Sequence, residues 1–163
     1  MEPLIVLVVV TLALLIAGAV GVKRLRPWSV ALRGGLSAMF VLTGVVHFVG
    51  MRAELISMVP PALPNPGLLI TISGLLELAG AIGLLWRPTA TWAAGGLTLM
   101  LVAMFPANIY AALEGITTNA SDALVPRTLI QIVFLSTSIA IMVSHIRHRS
   151  IQRPATALDN SQG

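Results

Sequence analysis

Five uninterrupted apolar runs, each close to the ~20 residues that carry a helix across the hydrocarbon of a bilayer, leave this chain little from which to build a soluble domain. They cover 3–22, 34–53, 67–86, 91–113 and 126–144. Hydrophobicity within each run is continuous rather than alternating. Only helices and closed barrels satisfy backbone polar groups in lipid, so the expected fold is all-α: an integral membrane bundle of about five transmembrane helices. Composition points the same way, with 56% hydrophobic and 10% charged residues among 163, against roughly a quarter charged in soluble domains. The longest polar stretch, from Ser144 to Gly163, has too few apolar residues to enclose a core.

The basic residues punctuate the runs instead of forming a soluble basic face, which argues against a nucleic-acid partner despite a net charge of +4. Lys23, Arg24, Arg26 and Arg33 fall between the first two runs, Arg87 between the third and fourth, and Arg147, Arg149 and Arg153 after the fifth. Arg52 and Arg127 fall on the other side. The positive-inside rule then places the amino terminus outside and the carboxyl terminus in the cytoplasm. A secretory signal peptide carries its positive charge before the apolar run, whereas here Glu2 precedes it and Lys23 follows, so the first helix is expected to be retained. The expected location is a bacterial inner membrane, crossed several times.

Ionisable groups inside a bilayer are costly, so each requires a reason. Glu77 lies mid-way along the third run. His47 lies in the second, at a similar depth by helical rise. His47, Met51, Glu54 and Met58 follow a helical spacing that leads outward as one stripe. In the fourth run Pro106 has no N–H for the carbonyl of Val102, which predicts a kink and a free acceptor there, with Asn108 and Tyr110 just beyond. The fifth run opens at Pro126 and Arg127 and places Gln131 one turn on. His47, Glu77, Asn108 and Gln131 come from four helices, all from the midplane outward, an asymmetry expected of one shared polar cavity. Glu77 and His47 are its candidate catalytic or proton-handling residues. Asn108, Gln131, Tyr110 and Arg127 are its candidate ligand contacts, with Arg52 and Glu54 at the rim. The plainer alternative is that each side chain merely bonds a neighbour and fixes helix packing.

Other chemistry has little to stand on. The chain has no cysteine, which removes disulfides, thiolate metal sites and thiol redox steps from its own repertoire. There is no H-E-x-x-H, phosphate loop, dinucleotide fingerprint or serine elbow. No metal site is expected: His47 and Glu77 are two ligands only, and His145 and His148 sit at the opposite end. Trp28, Trp86 and Trp92 fall near the cytoplasmic interface, where an indole serves as an anchor. The segment 58–67 holds Pro60, Pro61, Pro64 and Pro66, which makes it a stiff non-helical turn.

Gly44-Val45-Val46-His47-Phe48, the proline-rich turn from Met58 to Pro66, Ser73-Gly74-Leu75-Leu76-Glu77-Leu78-Ala79-Gly80 and Phe105-Pro106-Ala107-Asn108-Ile109-Tyr110 together resemble the DoxX-like bacterial membrane proteins. The resemblance runs from about Leu32 to Val143. It implies a compact four-helix membrane bundle over 32–146, preceded by an additional transmembrane helix over 1–22 and followed by a disordered cytoplasmic tail over 147–163. It also implies association with a membrane redox system through a quinone or a redox protein partner. Relatives in the methylamine-utilisation and vitamin K reductase-like groups use cysteines that this chain lacks. The expectation is a redox-associated subunit, non-catalytic or quinone-binding, with no covalently bound cofactor. An acid–base isomerase or cyclase acting on a lipophilic substrate, and a membrane assembly factor or scaffold, are the alternatives.

Overall fold

Each apolar run becomes a helix. The computed structural model describes residues 2–116 and 124–159, with side chains described as far as Ser144 except at 124 and 127. The elements are α1 (Glu2–Val20), a 3₁₀ turn at Lys23–Leu25, α2 (Trp28–Val46), the short α3 (Arg52–Ser57), α4 (Pro66–Leu85), α5 (Ala90–Leu113) and α6 (Leu124–Asp159). No strand occurs among the described residues. Helices α1, α2, α4 and α5 are each long and apolar enough to cross a membrane, and Thr128–Ser144 is a shorter apolar stretch of α6.

Helices α2, α4, α5 and α6 close into a ring, α2 packing on α4, α4 on α5, α5 on α6 and α6 back on α2, while α1 lies against α2. The core is drawn from all five long helices. Leu7, Leu36, Phe40, Leu84, Leu97, Phe134 and Ile141 are among its buried members. Gly80 of α4 stands against Leu97 of α5, where even a methyl group would collide with the leucine side chain. Such close approaches suit helices that associate by contact packing rather than by excluding water.

The second helix departs from its expected limits at both ends. It begins at Trp28, six residues before Gly34, because Pro27 is extended (φ −67°, ψ 122°) and releases the chain directly into a helix. Arg33, read from sequence as part of a connection, is therefore inside α2, and its side chain is buried. Its Nε donates to Leu84 O at 2.7 Å and its Nη2 to Leu85 O at 2.9 Å. One turn on, Ser37 Oγ donates to Ala81 O at 2.8 Å. The last carbonyls of any helix lack intrahelical donors, and a guanidinium is matched to that end by both geometry and charge.

At its other end α2 stops at Val46 instead of continuing to Ala53. Residues 47–50 form a turn that Gly50 completes at φ 80°, and α3 then starts afresh. The expected outward stripe is thereby broken: His47 and Met58 are buried, whereas Met51 and Glu54 are exposed. Beyond α3, the proline-rich turn leads to Asn65, which is left-handed (φ 50°), and Pro66 opens α4. Trp28, Trp86 and Trp92 fall together at one end of the bundle and are 54%, 70% and 80% exposed. The helical backbone of α6 continues through residues 147–159 of the expected tail. Residues 117–123 and 160–163, and the side chains of His145, His148 and Arg127, lie outside the described residues.

Candidate functional site

The end of α2 meets the middle of α4 at a pair of glycines. A Cβ on Gly74 of α4 would lie 2.6 Å from His47 Cβ and 2.9 Å from Phe48 Cε2, and one on Gly44 of α2 would lie 2.9 Å from Leu78 Cδ2 and 3.3 Å from Glu77 Cβ. The missing side chains let the two helices approach until His47 and Glu77 face each other, Nδ1 to Oε2 3.8 Å apart. Both residues are buried, at 3% and 4% exposure. Arg52 holds the arrangement from above. Its Nη1 donates to His47 O at 3.2 Å, and its Nη2 donates to Gly67 O at 3.2 Å and to Thr71 Oγ1 at 3.0 Å, tying the turn after α2 to the first turns of α4.

The hydrogen-bond accounting at this pair does not close. His47 Nδ1 lies 2.7 Å from the carbonyl oxygen of Thr43. A carbonyl only accepts, so Nδ1 carries the proton and donates it there. The 3.8 Å to Glu77 is too long for a second hydrogen bond. The Thr43 hydroxyl donates to Phe40 O at 3.4 Å. That leaves His47 Nε2 and Glu77 Oε2 fully buried with no hydrogen-bond partner among the described residues. Buried polar atoms are nearly always satisfied, and each that is not costs about 1–3 kcal/mol. Two such atoms on adjoining residues make the pair the candidate contact for a polar group from outside the chain.

A stability test separates this arrangement from a packing bond. Glu77→Leu is expected to raise the free energy of unfolding by about 1–2 kcal/mol, because it removes a buried unsatisfied oxygen. Glu77→Gln should be close to neutral. Thermal unfolding in detergent measures both. If the carboxyl were a structural cross-link, both variants would melt lower.

Gln131 is buried, but its Nε2 donates to Leu101 O at 2.6 Å, so the amide locks α6 to α5 through the backbone. The carbonyl it meets is Leu101, one residue from the Val102 acceptor expected below Pro106, and α5 runs as one helix through the proline. Asn108 and Tyr110 are half-buried on the last turns of α5. No described hydrogen bond joins Gln131 to the His47–Glu77 pair. The small residues around Glu77, Gly74 among them, are legible in the sequence as a place where another helix can approach, and Gly74 does meet the end of α2. Sequence reading missed Thr43 and Gly44, although Gly44 sits inside a motif it quoted and Thr43 stands four residues before His47. Among the described residues, no group of three or more His, Asp or Glu side chains converges as a metal site requires.

The profile of a family described as a domain of unknown function (DUF8561) matches residues 36–144, a span that holds the whole of this site. No curated protein and no solved structure matches the chain.

Proposed function

This chain belongs to the DUF8561 family, and we propose that it is a multi-pass protein of the bacterial inner membrane that binds the polar head of a quinone-type lipophilic molecule between His47 and Glu77, as a non-catalytic subunit of a redox system. The observation that carries the reading is the pair of buried polar atoms without partners. Support also comes from the surface, where apolar side chains such as Val20, Leu99 and Leu113 are 83%, 70% and 71% exposed. Water penalises that surface and acyl chains do not. The resemblance to DoxX-like proteins favours a quinone among amphiphiles of similar size. With no cysteine and no side chain suited to hold an electron, the redox centre belongs to a partner protein.

The experiment is purification in mild detergent, extraction of co-purifying lipid, and comparison of wild type with Glu77→Gln. A quinone-type lipid at near-stoichiometric amount, depleted in the variant, is the expected result. Wild-type protein that carries none and takes up none on addition sinks the reading.

The proposed topology, amino terminus outside and carboxyl terminus cytoplasmic, rests on the basic residues: Lys23, Arg24, Arg26 and Arg87 are exposed at the end of the bundle that also carries the three tryptophans. The absence of native cysteine makes the test clean. A single cysteine at Asn65→Cys should react with an impermeant maleimide in intact cells, and one at Arg24→Cys only after permeabilisation. The reverse pattern inverts the topology.

The anchored Nδ1 and open Nε2 of His47 also suit a general base. On this second reading the molecule isomerises or cyclises a lipophilic substrate by proton transfer. Turnover of terpenoid or epoxide candidates by pure protein, lost in His47→Gln, distinguishes it from binding alone.

A further inference from the structure

The two unpartnered atoms of the site are not equivalent, and the difference bears on which head group fits. A carboxyl group adapts: its oxygens accept, and its hydroxyl form donates. The imidazole has no such freedom, because its orientation is fixed from three directions. Nδ1–H is held by Thr43 O at 2.7 Å. Its Cβ and Cγ stand against the bare face of Gly74. The main-chain carbonyl of His47 is held by Arg52. A neutral imidazole that donates from Nδ1 presents a lone pair at Nε2, and that atom is buried with no donor from the protein. The discriminating atom is thus an acceptor, and what it lacks is an O–H or N–H. The Phe48 ring also lies against Gly74, beside His47, and is 38% exposed.

We propose that the His47–Glu77 site selects an amphiphile whose head group offers a hydroxyl donor to His47 Nε2, so that a hydroquinone binds in preference to the quinone of the same skeleton. The inference rests on the reading of the site as a quinone-type binding site and adds its selectivity. The hydroquinone hydroxyl donates to Nε2 and leaves its oxygen free to accept from Glu77. The quinone carbonyl can accept from Glu77, but it meets Nε2 lone pair to lone pair. A single hydrogen bond gained or lost at a buried acceptor changes affinity by roughly tenfold or more. No electron transfer is required of this chain; the preference is one of binding.

The test uses a matched pair, a long-chain hydroquinone kept reduced under anaerobic conditions and its own quinone, titrated into the purified full chain in nanodiscs with calorimetric readout. Wild type should bind the hydroquinone at least tenfold more tightly. His47→Gln, whose amide can turn either edge to a ligand, should bind both forms within about twofold of each other. Equal affinities in wild type, or a preference for the quinone, overturn the selectivity and leave the binding site standing. Binding of neither form overturns both. Retention of the full preference in His47→Gln overturns the assignment to His47. A measurement independent of that variant uses the double substitution His145→Ala/His148→Ala, which leaves His47 as the one histidine. Nitrogen-15 spectra of its ring should show Nδ1 protonated and Nε2 bare, with Nε2 moving on addition of hydroquinone. A protonated Nε2 in the unliganded protein overturns the proposal directly.

Discussion

Arg33→Met is expected to lower the free energy of unfolding by about 3–5 kcal/mol, the larger of the two structural effects foreseen for this protein. The guanidinium is 6% exposed and spans two adjacent carbonyls at the end of α4, Leu84 O at 2.7 Å and Leu85 O at 2.9 Å. Hydrogen bonds from a charged donor each contribute about 1.5–3 kcal/mol, and methionine fills the volume while supplying none. Arg33→Lys should recover only part of the loss, because one ammonium on a flexible stem cannot reproduce the planar fork. Equilibrium unfolding in mixed micelles measures the series. Lys23, Arg24 and Arg26, exposed in the preceding turn, provide the contrast: neutralising any of them should change stability by no more than about 0.5 kcal/mol. An Arg33→Met variant as stable as those would remove the capping role.

That contrast also shows what hydropathy could and could not convey. Helices α1, α4 and α5 lie within a few residues of their apolar runs, because continuous hydrophobicity sets length and length sets the element. The limits of α2 were not legible by the same signal. A buried arginine lowers the hydropathy of a helix that in fact contains it, and the compensating carbonyls belong to another helix some fifty positions away. The turn after Val46 is completed by Gly50 at positive φ, as Gly21 and Gly115 follow the ends of α1 and α5, whereas Gly34, Gly44, Gly74 and Gly80 lie inside helices, so the residue type alone does not announce a stop.

The site divides along similar lines. Helical rise gives depth, and His47 and Glu77, placed at one level from the sequence, stand 3.8 Å apart. Rise does not give the angle around the helix, so depth alone does not tell which of Asn108 and Gln131 turns towards the pair. Gln131 is used against the backbone of α5, a partner that no residue pattern announces. The tautomer of His47 was equally hidden, because it depends on a carbonyl one turn back being left within 2.7 Å where α2 ends.

Gly74→Ala is expected to lower stability by about 2 kcal/mol and to abolish binding at the site, although it adds a single methyl group to a helix. On an isolated helix the same change is favourable by up to about 1 kcal/mol, since alanine is the better helix former. Here the new Cβ would stand 2.6 Å from His47 Cβ, closer than real carbon contacts allow, and 3.0 Å from its Cγ. His47 cannot step aside cheaply, because Thr43 O holds its ring and Arg52 its carbonyl. The end of α2 must therefore move away from α4, and Nε2 and Oε2 part. Gly96→Ala is the internal control: nothing lies within 4 Å of its Cβ position, so only the propensity gain remains and the variant should be as stable as wild type or slightly more so. Unfolding measurements and hydroquinone titration on the two variants read stability and binding separately. Gly74→Ala protein that melts and binds like wild type would mean that α2 and α4 do not meet as closely at His47 as the site requires.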